Sequence, residues 1–188
     1  MLRAEIDRLR LHRPAIELGF SWLERHLPDP PARDGIVHSD VRNGNIVVGP
    51  TGLRAILDWE AALNRSDPMQ DLAWSALRMW RFRSDALEIG GLAGREPLTA
   101  GYSEAGGVFD VDRFEWWKVA ETLRWALGLA QQAESFLSGR VPNLVMAASG
   151  RRVSELEWDL LMQIGTPLTG PRRSRLSPPA HLSASVVP

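Results

Sequence analysis

The strongest constraint on the fold is a single β-hairpin, expected between residues 45 and 57, in a chain whose other long segments have helical patterns. Residues 45–48 and 53–57 are rich in aliphatic side chains, and the turn-forming sequence Gly-Pro-Thr-Gly separates them. A short apolar strand is expected at residues 35–37. Because the rest of the chain has apolar residues at helical spacing, the sequence predicts an α+β fold that is mainly α.

Capping residues, glycines and prolines divide the helical part of the chain and mark its end. Residues 166–188 contain five prolines, four serines and no acidic residue, a composition that predicts disorder. We therefore expect one domain over residues 1–165 and a disordered tail over 166–188. The helices predicted within the domain cover about 1–13, 14–27, 68–80, 96–105, 112–138 and 143–164.

Composition excludes several classes of protein. The 188 residues carry 22 basic and 23 acidic side chains, a balance that argues against a protein that coats nucleic acid. The absence of cysteine excludes disulfide scaffolds, thiolate zinc sites and cysteine nucleophiles, and it fits a reducing compartment. No signal peptide and no apolar run of about 20 residues is present, so we expect a cytoplasmic protein without a membrane partner.

The residues that carry chemistry lie in a polar loop, residues 38–45, and just after the hairpin. A tight hairpin returns the chain to its starting point, so Asp58 should lie near Asn45. Carboxylate and amide oxygens are ligands that Mg²⁺ accepts, usually together with phosphate and water. Asp40 could stay free of the metal, orient an acceptor hydroxyl and accept its proton. Each of these residues has a structural alternative, because Asp and Asn also serve in turns and helix caps.

Two further charged residues are candidates for binding phosphate or substrate. Arg42 could neutralise charge on a transferring phosphoryl group, or it could be a solvated surface charge. Glu60 could approach a second metal or the substrate. The spacing His-x-Asp-x-x-x-x-Asn, with an Asp downstream, is that of a kinase catalytic loop.

Several motifs in order resemble the aminoglycoside phosphotransferase and choline kinase-like superfamily. They are the polar loop, Asp-Trp-Glu at 58–60, Asp-Pro at 67–68 and Asp-Leu-Ala at 71–73. Further stretches, at 74–83, 116–138 and 150–161, resemble a subgroup whose relatives occur fused to, or beside, acyl-CoA dehydrogenases. The resemblance covers about residues 10–165, and it implies the C-terminal lobe of a protein kinase-like fold.

The resemblance implies a role for each motif residue in an ATP- and Mg²⁺-dependent phosphotransferase acting on a small-molecule hydroxyl. Asp40 becomes the catalytic aspartate, and Asn45 and Asp58 become the Mg²⁺ ligands. His38 and Asp71 would brace the loop. Ser39 replaces the glycine that the family usually has. The subgroup suggests a hydroxyacyl-CoA or a similar metabolite as the acceptor.

An N-terminal β-rich lobe with a phosphate-binding lysine is expected in the family and is not evident in this sequence. The single lysine, Lys118, falls in a predicted helix far downstream. We therefore expect a truncated or split kinase that is weakly active or inactive alone. A second chain would supply the missing lobe, or the surface that the lobe would cover would form a homodimer. The alternatives are a non-catalytic binding or regulatory module and a metal-dependent hydrolase using His38, Asp40 and Asp58.

Eight tryptophans raise the question of a stacked ligand. For five of those that fall on predicted helices, we expect packing in the core or at its rim. These five are Trp74, Trp80, Trp116, Trp117 and Trp125.

Overall fold

Residues 2–31 and 33–165 are described by a computed structural model in which helices predominate over strands. The predicted α+β class, mainly α, is confirmed for this part of the chain. The predicted disorder of residues 166–188 concerns residues outside the described part. The helices are α1 (Leu2–Leu9), α2 (Pro14–Arg25), α3 (Met69–Ser75), α4 (Arg95–Glu104), α5 (Val111–Leu137), α6 (Leu144–Ser149) and α7 (Val153–Ile164). The strands are β1 (Gly35–Val37), β2 (Ile46–Gly49), β3 (Gly52–Ile56) and β4 (Leu63–Ser66).

The 27-residue helix α5 is the centre of the core, because α1, α2, α3, α6 and α7 all pack against it. Ile16, Leu123 and Leu160 are fully buried where α2, α5 and α7 meet. Burying each such side chain contributes about 1.5–3 kcal/mol. A side chain at Gly19 would place its Cβ 3.3 Å from a Leu123 methyl group, so this glycine allows α2 to approach α5 closely.

The predicted hairpin forms from β2 and β3, which pair antiparallel with Ile46 opposite Ile56. Gly52 closes the turn at φ +101°, a conformation that favours glycine. A bulge lies between Val47 and Val48. Pairing continues past the strands, since the Leu57 amide donates to the Asn45 carbonyl at 2.8 Å.

A second two-stranded sheet, formed by β1 and β4, brings residues 35–37 beside residues 63–66. The sequence did not predict β4, because Leu-Asn-Arg-Ser lacks an alternating apolar pattern. Its strand conformation comes from pairing with β1, in which Gly35 lies opposite Ser66 and Val37 opposite Leu63. Val37 is fully buried, so the polar loop begins directly at the edge of the core.

Three predicted helix boundaries are wrong. The last helix is two helices, α6 and α7, joined by a 3-10 turn at Gly150–Arg152. Gly150 lies so close to α5 that a Cβ there would be 2.7 Å from the Cβ of Ala133. Helix α5 begins at Val111, one residue earlier than predicted, and Asp110 caps it by accepting the Arg113 amide hydrogen at 3.0 Å. Helix α3 ends at Ser75, five residues earlier than predicted, and a 3-10 turn follows at 78–80.

None of the described helices combines the length and the hydrophobicity that a membrane-spanning segment requires.

Candidate active site

The backbone of the polar loop is held by Asp71, which lies in the first turn of α3. Its two carboxylate oxygens accept the amide hydrogens of His38 and Ser39, each at 2.7 Å. Burial raises the pKa of Asp71, while these two amide hydrogen bonds and the positive charge of Arg124 act in the opposite direction. One carboxylate therefore ties the start of the polar loop to the helix behind it.

Ser39 has a left-handed backbone, with φ +68°. A residue with a side chain pays about 1–2 kcal/mol for this conformation, whereas glycine adopts it freely. The Ser39 hydroxyl is also buried without a hydrogen-bond partner among the described residues. The glycine usual at this position in the resembled family therefore has a conformational reason. Arg124 compensates in part by donating to the Ser39 carbonyl at 2.8 Å.

His38 is buried, and both of its ring nitrogens bond to backbone atoms. Nδ1 accepts the amide hydrogen of Asp40 at 3.2 Å, so Nε2 carries the hydrogen that is donated to the Leu57 carbonyl at 2.8 Å. The Trp59 ring packs edge-on against the imidazole at 4.6 Å. Because neither nitrogen is available to a metal, the hydrolase that uses His38 as a ligand is not supported.

The Asp40 carboxylate is oriented by three side chains. Asn45 donates from Nδ2 to Oδ2 at 2.7 Å and to the Asp40 carbonyl at 2.9 Å. Arg42 donates from Nε to both oxygens, at 3.1 and 3.2 Å. Trp74 donates its indole hydrogen to Oδ1 at 2.9 Å. Asp40 and Asn45 are therefore in direct contact at the start of the hairpin.

Asp58 lies at the other end of the hairpin, directly after the residue that pairs with Asn45. Its backbone is left-handed, with φ +68° and ψ +59°, a conformation that is uncommon for non-glycine residues and typical of functional sites. The side chain is exposed and makes no hydrogen bond or ion pair within residues 2–31 and 33–165. Asn45 Oδ1 likewise has no partner in that part of the chain.

The unengaged oxygens of Asn45 and Asp58 are the atoms that could hold a divalent cation. In the described part of the chain, no cluster of three or more His, Asp or Glu side chains is arranged to hold a metal. A cation at this place would therefore be held by fewer than three such side chains, and the Asn45 amide oxygen is available as a further ligand. The donor set, one amide and one carboxylate oxygen, suits Mg²⁺, which usually keeps several positions for phosphate and water.

Arg42 lies over the polar loop with two amino groups unused. Only its Nε bonds to Asp40, and its guanidinium rests 5.3 Å from the centre of the Trp80 ring. Gly44 makes room for it, since a Cβ at that position would lie 2.3 Å from one guanidinium nitrogen. Glu60 lies in a 3-10 turn, Trp59–Ala61, where it is exposed and bonds to no described residue.

The sequence did not predict two residues that hold Asp40 and its loop, Trp74 and Arg124. We expected Trp74 to be a packing residue, and it is 1% exposed, but it also hydrogen-bonds to Asp40. Its spacing three residues after Asp71, which puts both on one helical face, was an available signal. Arg124 bonds to Ser39 and stacks on the Trp74 ring, and no local pattern relates residues so far apart.

Lys118 lies in a separate charged cluster. It is largely buried and pairs with Glu88 at 2.7 Å and with Glu115 at 3.3 Å, and Arg95 pairs with the same two acids. Burial alone would raise the pKa of Glu88, but the hydrogen bonds from Arg95 and the charge of Lys118 outweigh it and lower the pKa to about 2. The single lysine of the sequence is therefore engaged in structural ion pairs.

The helical core, the loop held by Asp71 and the acidic residue after the hairpin together define part of a kinase-like phosphotransferase fold. The pattern of the phosphotransferase enzyme family (APH) matches residues 2–117, and the chain belongs to this family. The predicted resemblance is confirmed.

Known proteins resemble parts of the chain or its fold. Acyl-CoA dehydrogenase family member 11 from rat is 39% identical over 66 residues, and the human protein is 38% identical over the same length. These matches cover 34% of this chain and 8% of each relative.

A solved structure from Ralstonia eutropha, provisionally described as an aminoglycoside phosphotransferase, superimposes with a TM-score of 0.65 at 20% identity. The superposition covers 87% of this chain and 53% of that one, so the chain spans about half of its structural neighbour. At this identity the likeness shows the fold alone.

Proposed function

We propose that the chain forms the metal- and acceptor-binding part of an ATP- and Mg²⁺-dependent phosphotransferase that acts on a hydroxyl group of a small molecule. The observation that carries the proposal is the contact of Asp40 with Asn45, beside an Asp58 carboxylate that no described residue engages. This arrangement offers one carboxylate to an acceptor hydroxyl and separate oxygens to a cation.

The chemistry divides among these residues. The acceptor oxygen attacks the γ-phosphorus as the bond from that phosphorus to the ADP oxygen breaks, and Asp40 takes the hydroxyl proton. Asn45 and Asp58 would hold Mg²⁺, and the bound ion would neutralise negative charge on the phosphates. Arg42 can keep its Nε on Asp40 while its two free amino groups donate to phosphoryl oxygens. Glu60, exposed next to Asp58, is available to the substrate.

The polar loop must keep its shape for this chemistry. His38 and Asp71 serve that purpose, since together they bond the loop backbone to the hairpin end and to α3. We assign both residues a supporting role without contact to the reacting atoms.

The relatives suggest the class of acceptor. Because part of the chain resembles acyl-CoA dehydrogenase family member 11, we propose an acceptor of hydroxyacyl-CoA type, used in the cytoplasm, where ATP is abundant. The helices that follow Asp67 would form its pocket.

The nucleotide-covering part of the site is proposed to come from outside the described residues. The single lysine is held by Glu88 and Glu115, so it cannot bind the ATP phosphates. Ile36, Val48 and Leu53, on the strands near the site, are 71%, 72% and 62% exposed. We propose that another lobe, a second chain or a second copy covers this apolar surface. Size-exclusion chromatography that shows only a monomer would argue against the second copy.

The test is release of ADP by the purified 188-residue chain with ATP, Mg²⁺ and a panel of hydroxyacyl-CoA compounds. We expect turnover well below the roughly 1–100 s⁻¹ of complete kinases. We expect Asp40→Ala to abolish it, and the exposed control Glu24→Gln to leave it unchanged. Turnover that survives Asp40→Ala would exclude Asp40 as the base. No ADP release under any condition would favour the alternative, a non-catalytic binding or regulatory module, whose support is the engaged lysine.

A further inference from the structure

The Asp40 carboxylate receives one hydrogen bond from a residue outside the polar loop, and this residue is buried. Trp74, on α3, is 1% exposed and donates from Nε1 to Oδ1 at 2.9 Å. The other two donors belong to the loop itself. Arg42 is the more exposed of these two, since 31% of its side chain is accessible and Asn45 is buried.

Trp74 is itself fixed on several sides. The Arg124 guanidinium lies 4.1 Å from the centre of its ring, and the rings of Trp80 and Trp125 lie at 5.3 and 5.6 Å. Arg124 is held in turn by an ion pair with the buried Glu121. The indole that reaches Asp40 is therefore part of the packed core.

Packing alone does not explain the hydrogen bond of Trp74. The indole nitrogens of the neighbouring Trp80 and Trp125 are also buried, and neither has a hydrogen-bond partner among the described residues. The cluster thus tolerates indole hydrogens that find no acceptor, although each one costs free energy. Within it, the indole hydrogen of Trp74 is the one that reaches a carboxylate.

We propose that Trp74 is a positioning residue that holds Oδ1 of Asp40 in place through its indole hydrogen. The inference rests on the proposed function, in which Asp40 accepts the hydroxyl proton. While Arg42 shares its guanidinium between Asp40 and a phosphoryl group, the bond from Trp74 restrains Oδ1 independently of the substrate. A misplacement of about 1 Å at a reacting group can cost on the order of 100-fold in rate, so this restraint has a catalytic consequence.

The kinetic test compares Trp74→Phe with Trp125→Phe. Both substitutions keep a ring in the cluster and remove an indole hydrogen, but only the first removes one that has an acceptor. With ATP and Mg²⁺, we expect Trp74→Phe to lower kcat by about 10- to 100-fold with the KM for ATP nearly unchanged. Trp125→Phe should leave both constants within about twofold of the wild type. Equal effects of the two variants, or a change in KM alone, would overturn the proposal.

A second measurement separates this inference from the proposed function, because it needs no activity. Scalar couplings across the Asp40 Cα–Cβ bond, measured by NMR, should show one rotamer in the wild type and in Trp125→Phe. They should show averaging in Trp74→Phe. If the wild type transfers no phosphoryl group, the proposed function fails while the couplings still decide whether Trp74 positions Asp40. A single rotamer in Trp74→Phe would refute the inference.

A third measurement covers the case in which Trp74→Phe does not fold. In ¹⁵N-labelled protein, Asp40→Ala should move the indole resonance of Trp74 and speed its hydrogen exchange. The indole resonance of Trp125, which has no acceptor to lose, should be nearly unaffected. Equal changes in both resonances, or no change in the resonance of Trp74, would show that the hydrogen bond is absent in solution.

Discussion

Replacing Asp71 by Asn should destabilise the protein more than any exposed acid-to-amide change. The carboxylate accepts two backbone hydrogen bonds at 2.7 Å, from His38 and Ser39. An Asn side chain can accept one of them, while its amino group faces the other amide hydrogen and leaves it without an acceptor. Hydrogen bonds to a charged group are worth about 1.5–3 kcal/mol, and a buried unsatisfied donor costs about 1–3 kcal/mol.

Burial offsets part of this loss. It raises the pKa of Asp71, which means that the ionised carboxylate is itself costly to bury, whereas an amide avoids this cost. We therefore expect a net loss of about 2–3 kcal/mol in the free energy of unfolding. For a domain of this size, that corresponds to a fall of roughly 5–10 °C in Tm.

The assay is thermal and urea unfolding followed by circular dichroism. The matched control is Asp85→Asn, because the Asp85 side chain is exposed and makes no hydrogen bond or ion pair with a described residue. The control should stay within about 0.5 kcal/mol of the wild type. If Asp71→Asn also stays within that range, Asp71 does not anchor the polar loop, and the reasoning about its two hydrogen bonds is wrong.

Three further predictions concern single residues. Ser39→Gly should raise the free energy of unfolding by about 1 kcal/mol in urea titrations. The substitution relieves the strain of the left-handed backbone at φ +68° and removes a buried hydroxyl that has no partner among the described residues. A loss of stability would contradict this. Gly44→Ala should displace Arg42 and lower kcat for ADP release with little change in Tm. The control Gly101→Ala, where a Cβ meets open space, should leave kcat unchanged. Equal kcat values for the two variants would refute the role of Arg42. In the folded protein the pKa of Glu88 is lowered from 4.5 to about 2. The ionised Glu88 therefore stabilises the fold fully above pH 4.5, its pKa in the unfolded chain, and this stabilisation is lost as the pH falls towards about 2. The stability difference between the wild type and Glu88→Gln should therefore shrink between about pH 4.5 and 2 in acid titrations, and a constant difference would argue against the paired carboxylate.

Local sequence signals were sufficient for the hairpin and for the order of the polar residues around it. The turn sequence and the aliphatic runs define β2 and β3, and the return of the chain places Asp58 beside the residue paired with Asn45. Strand β4 was missed because its conformation depends on pairing with β1, which a four-residue polar segment does not reveal. The 3-10 turn at Gly150–Arg152, which separates α6 from α7, was missed because the local apolar pattern does not mark it.

Residues that hold the polar loop in place were harder to predict than residues that would contact phosphate or metal. Residues that meet phosphate or metal must be of a few chemical types at fixed spacing, so a motif identifies them. A residue that orients them can come from anywhere in the fold. Arg124 lies 85 positions from Ser39, and only the packing of α5 against α3 brings the two together.

The most direct test of the proposed site is the binding of Mn²⁺, a spectroscopic substitute for Mg²⁺, in the presence of ATP. Electron paramagnetic resonance measures the free ion, so Kd can be compared between the wild type, Asp58→Asn and the exposed control Asp85→Asn. We predict that Asp58→Asn weakens binding by about tenfold or more, a change of about 1.4 kcal/mol, and that the control matches the wild type. Equal affinities in all three proteins would contradict a cation site formed by Asn45 and Asp58 next to Asp40.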